Sequence, residues 1–157
     1  MNTILERIRC TSPLKHMVVP RYAAGAALGI FGALHLSMDQ FSMMPILEAA
    51  HLPLAGISAV VVPILEVIAG VMLVSGLLAR VGAALAVPIM VVAIYAHIVA
   101  DWPGEVPFFL PLVVLGSSVY VLWLGAGAWS VDCSAVGTCE PEMRSRPKVV
   151  PPTLFGR

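Results

Sequence analysis

The chain has 157 residues, 59% hydrophobic and 11% charged, and nine Lys and Arg balance nine Asp and Glu to a formal net charge of zero. Soluble domains hold about 25% charged and about 45–50% apolar residues, so a water-soluble fold is set aside. The chain also lacks the basic surplus that nucleic-acid binding needs, and three cysteines cannot build a disulfide scaffold. At a one-domain length, this composition points to an all-α, polytopic membrane protein.

In chain order, residues 1–16 form a short polar segment with Arg7, Arg9 and Lys15. An apolar stretch at about 17–36 is long enough to span a bilayer, which takes about 20 residues. It exceeds the usual apolar core of a signal peptide and lacks a small-residue cleavage site, so a retained span is expected. The connection 37–53 contains Asp39 and Glu48 but no Lys or Arg. Its apolar positions Phe41, Met44, Ile46, Leu47 and Ala50 predict a short interfacial helix after Pro45.

A second span is expected at about 54–79, containing Pro63, and a third at 81–100, containing Pro88, with Arg80 in the tight turn between them. Membrane helices tolerate such prolines because neighbouring groups satisfy the freed carbonyls. The connection 101–106 carries Asp101 and Glu105 and again no cation. A fourth span is expected at about 107–125. The membrane domain thus covers 17–132, followed by a proline-rich tail at 133–157 with Arg144, Arg146, Lys148 and Arg157.

Arg7, Arg9, Lys15 and Arg21 precede or open the first span, Arg80 lies in the turn between the second and third, and Arg144, Arg146, Lys148 and Arg157 follow the fourth. Lys and Arg stay on the cytoplasmic side, so both termini are expected in the cytoplasm of a plasma-membrane protein. Trp102 suits the outer aromatic belt; Tyr22, Trp123 and Trp129 suit the inner one. Cys10, Cys133 and Cys139 then face a reducing compartment, and the Cys133–Cys139 spacing fits neither a zinc ribbon nor a CxxC motif. Gly25 and Gly29 form a GxxxG pair that Gly32 extends, and small residues on the next two spans invite close helix approach. The expected architecture is a four-helix up-down bundle.

An ionisable side chain inside a span marks a functional site by default. Glu66 lies roughly 18 Å along its helix, which predicts a protonated or tightly hydrogen-bonded carboxyl. Ser117 and Ser118 at similar depth are its expected partners, and Arg80 is too distant to pair. A second pattern repeats: His35 precedes Asp39 by four residues and His97 precedes Asp101 by four, a spacing that shares one helix face. If these helices face each other, two imidazoles converge near the outer surface, with His51 able to join. Such a site could exchange protons with a quinone, ligate haem b through two histidines, or hold a metal through His35, His97 and His51. It could also be interfacial residues wetted by headgroup water, with Glu66 only locking two helices.

Several segments resemble the DoxX-like family of small four-helix membrane proteins. They are Arg21 with Gly32-Ala33-Leu34-His35; Pro63-Ile64-Leu65-Glu66 with Gly70, Gly76-Leu77-Leu78 and Arg80; Met90 with His97; and Gly125-Ala126-Gly127-Ala128-Trp129-Ser130-Val131-Asp132. The resemblance implies a small subunit of a quinone-linked redox system of the cell envelope. Its partners would be membrane lipids and the other subunits of a redox complex. It singles out Glu66 and Arg80, with His35 where many relatives carry Lys. No flavin, iron–sulfur or c-type haem motif is present in the chain, so electrons would come from another subunit. A non-catalytic scaffold subunit and a proton-conducting bundle are the alternatives.

Overall fold

The computed structural model describes residues 15–100, 108–127 and 129–136. Their regular structure is entirely helical. In chain order come α1 (Val18–Ser37), α2 (Met44–Ala49), α3 (Ala55–Ser75), α4 (Ala79–Ala100), α5 (Phe109–Leu124) and α6 (Val131–Val136). Short 3-10 turns at Lys15–Met17 and Asp39–Phe41 flank α1.

Many residues of α3 and α4 are Val and Ile, which favour strands in water. They are helical here because a helix satisfies its backbone internally, the condition for residence in lipid. Ala55–Ser75 and Ala79–Ala100 are long and apolar enough to cross a membrane, and Phe109–Leu124 is a shorter apolar helix. Pro63 and Pro88 sit inside α3 and α4 without ending them.

The hydropathy pattern carries the second span through residue 79, but α3 stops at Ser75. Gly76 (φ 67°) and Leu78 (φ 49°) take left-handed conformations that turn the chain. Arg80 therefore belongs to the first turn of α4, not to the connecting turn.

The four long helices form a ring. α1 packs on α3 and α5, and α4 packs on the same two, so α1 and α4 lie across the diagonal. The tightest contact is α1 against α3. A Cβ added at Gly70 would lie 2.6 Å from the Gly29 nitrogen, and one at Gly25 would lie 2.9 Å from Leu73 Cβ. Ala24, Leu28, Ala69 and Leu73 are buried along this seam.

This seam fixes how far the antiparallel helices overlap. Gly32 faces Pro63, Glu66 and Val67, so α1 ends about one and a half turns short of the start of α3. α2 occupies the space above, packing on α3 and α4 with Leu47 and Ala50 buried.

At the opposite end, the segment after α5 folds back under the bundle. The Asp132 N–H donates to the Gly76 carbonyl (3.1 Å), and Asp132 Oδ2 accepts from the Ala79 N–H (3.1 Å). Asp132 thus caps α4 from a distant part of the chain, satisfying a donor that the helix start leaves open. Arg21, fully buried in the first turn of α1, donates through Nη2 to the Trp129 carbonyl at 2.8 Å.

Candidate functional site

Glu66 and His35 form one polar pair in the α1–α3 seam. His35 Nδ1 lies 3.1 Å from Glu66 Oε2, with side chains 14% and 4% exposed. Gly32, one turn before His35, permits this approach, because a Cβ there would sit 2.9 Å from Glu66 Cβ and 2.8 Å from the Pro63 carbonyl. Phe31 flanks the imidazole with ring centroids 6.3 Å apart. A carboxyl within an apolar seam is costly unless hydrogen-bonded, and the imidazole meets that need.

The geometry divides the two groups. Glu66 is the more buried and holds Nδ1; His35 is the more accessible, and its Nε2 makes no hydrogen bond among the described residues. When an ionised Glu66 accepts the Nδ1 proton, Nε2 carries the lone pair of the ring. When His35 is protonated, Nε2 becomes a donor. The pair can therefore take up or release one proton at a defined atom.

The expected partners of these residues differ from the observed ones. Ser118 Oγ is buried without a hydrogen-bond partner, and Ser117 is half-buried beside it on α5. Neither replaces His35 at Glu66. Asp39 does not orient His35: α1 ends at Ser37, and Asp39 opens a separate exposed turn. The four-residue spacing thus crosses a helix end and loses its shared face.

His97 stands apart from the pair. Its Nδ1 donates to the Ala93 carbonyl at 2.7 Å, and its ring lies 6.4 Å from that of Phe108. It is on the diagonal helix. The register set by Gly32 and by Gly82 against Met72 and Ala69 puts it roughly two turns, about 10 Å, further along the bundle than His35. The two imidazoles make separate hydrogen bonds, His35 to Glu66 and His97 within its own helix. His51 is exposed in the α2–α3 connection. Among the described residues, no group of three His, Cys, Asp or Glu could hold a metal ion.

Arg80 is at the other end of the bundle from His35, where its Nη2 donates to the Trp123 carbonyl at 3.4 Å. Asp101, Trp102, Cys10 and Cys139 lie outside the described residues. Sequence reasoning missed the polar cluster of Arg21 and Asp132. Its signal was an arginine inside an apolar stretch, together with an aspartate just after the small residues that follow α5.

A family model described as DoxX matches residues 17–99, 83 of the 157 residues in the chain. The match contains Arg21, His35, Glu66, Arg80 and His97. No curated protein and no solved structure matches.

Proposed function

The chain belongs to the DoxX family, and on that premise we propose that it is a small membrane subunit of a quinone-linked redox system of the cell envelope. α1, α3, α4 and α5 each cross the plasma membrane, with both termini in the cytoplasm and the α2 end outside. The apolar character of α3, α4 and α5 and the confinement of cations to the terminal segments and the first turns of α1 and α4 support this topology.

The observation that carries the reading is the His35–Glu66 hydrogen bond. A quinone supplies a two-electron, two-proton couple when bound. His35 gives or takes a proton at a carbonyl oxygen through Nε2, while Glu66 keeps the ring oriented through Nδ1. Phe31 offers an aromatic surface beside the imidazole. Electrons arrive from a partner subunit that carries its own redox centre.

The test is quinone-dependent turnover of the intact complex in native lipid. His35→Ala and Glu66→Gln are each expected to lower it roughly 10²-fold or more, the usual scale of general acid–base catalysis, while the complex stays assembled. The close glycine seam favours a second reading, in which the pair only locks α1 to α3 in a scaffold subunit. Unchanged turnover per assembled complex in both variants overturns the redox reading and supports the scaffold.

A further inference from the structure

We infer that the Arg80 end of the bundle binds the phosphate of an anionic phospholipid, through Arg80 beside the Trp123 backbone. This site is independent of the quinone reading. Arg80 stands in the first turn of α4. Its Nη2 reaches the Trp123 carbonyl only at 3.4 Å, the long limit of a hydrogen bond. Its Nε is buried without a partner. One edge of the guanidinium is held by protein, and no carboxylate pairs with it among the described residues.

The surroundings fit a lipid headgroup. Trp123 is 81% exposed and Trp129 79% exposed, and indoles favour the headgroup level of a bilayer. Arg21 Nη2 fixes the Trp129 carbonyl, and Trp129 is itself in a left-handed conformation (φ 56°). The Trp129 backbone is thus held near Gly76, which Ser130 approaches. Among the described residues, Lys15, Arg21 and Arg80 at this end face a single carboxylate, Asp132. That carboxylate is buried and engaged by the Ala79 N–H. The start of α4 adds its partial positive charge.

Arginine matches phosphate oxygens with a planar fork of donors. A phospholipid alone also supplies acyl chains for the exposed apolar surface alongside, where Val81 and Leu122 face outward. Free phosphate would leave the indoles without a partner, so the lipid is the assigned occupant.

The experiment uses the full-length chain carrying Trp102→Phe, so that Trp123 and Trp129 report. It is reconstituted in vesicles, and quenching by brominated phosphatidylglycerol is compared with quenching by brominated phosphatidylcholine. About fivefold preferential quenching by phosphatidylglycerol is expected, the scale of one basic side chain at an anionic surface. Arg80→Gln is expected to abolish the preference and Arg80→Lys to retain part of it. Equal quenching by the two lipids, which needs no charge variant, overturns the proposal, as does a preference that survives Arg80→Gln. Loss of the preference on adding inorganic phosphate at constant ionic strength assigns the site to free phosphate instead and overturns the lipid.

Discussion

Asp132 and Glu66 are carboxylates with 1% and 3% exposure, and each is accommodated differently. Asp132 is joined to backbone: it caps α4 and receives the Ala79 N–H. Asp132→Ala leaves that donor open and removes a buried charge near Arg21. Loss of a helix cap costs about 1–2 kcal/mol, so a clear fall in the thermal midpoint in detergent is expected. Asp132→Asn keeps an acceptor and should fall less. Equal midpoints for Asp132→Ala and the parent chain would remove the capping role. Glu66 is instead joined to one side chain, and the bond can be isolated. A double-mutant cycle of His35→Ala and Glu66→Ala should give a coupling of about 0.5–3 kcal/mol in unfolding measurements, as for residues in direct contact. Additive single effects would show that the hydrogen bond contributes nothing to stability.

At the scale of elements, the α1–α3 seam makes unequal demands on its glycines. A Cβ at Gly70 meets Gly29 and Gly25 backbone atoms at 2.6–2.8 Å, whereas a Cβ at Gly29 or Gly116 meets nothing within 4 Å. Backbone cannot give way as a side chain can, so Gly70→Ala should push the helices apart and cost about 1–3 kcal/mol, the usual penalty of overpacking. Gly29→Ala and Gly116→Ala should be neutral or stabilising by up to about 1 kcal/mol, from helix propensity. Thermal midpoints of the three variants check this, and a tolerated Gly70→Ala would contradict the seam. The GxxxG spacing made Gly25 and Gly29 equivalent; only the register shows that Gly25 needs its missing Cβ while Gly29 offers its backbone to Gly70. Long apolar runs made the helices legible in sequence. Their ends were less so, because hydropathy runs on through Leu77 and Leu78 where the backbone turns. The candidate site was legible residue by residue but not as a pair. Depth counted from each span's own end placed His35 near the surface and Glu66 near mid-membrane. The two meet because α1 stops early against α3, an offset that no single helix encodes.

Across the whole molecule, the proposed orientation rests on where the charges lie. Lys15, Arg21 and Arg80 gather at one end, and Asp39 and Glu48 follow α1 towards the other. Each uncompensated Lys or Arg near the membrane favours the cytoplasmic side, so reversing the bundle would expose all nine cations of the chain to the outside. The native cysteines test this, since Cys10 and Cys139 lie in the terminal segments and Cys133 in α6, all assigned to the inside. A membrane-impermeant maleimide applied to intact cells should leave the native chain unlabelled and should label it after permeabilisation. Ala49→Cys, at an exposed position at the end of α2, should react in intact cells once the three native cysteines are replaced by serine. Labelling of the native chain before permeabilisation would invert the topology. The His35–Glu66 pair would then lie towards the cytoplasmic side, and its proton would have to exchange there. This experiment links the orientation of the bundle to the side on which the proposed proton exchange of the pair takes place.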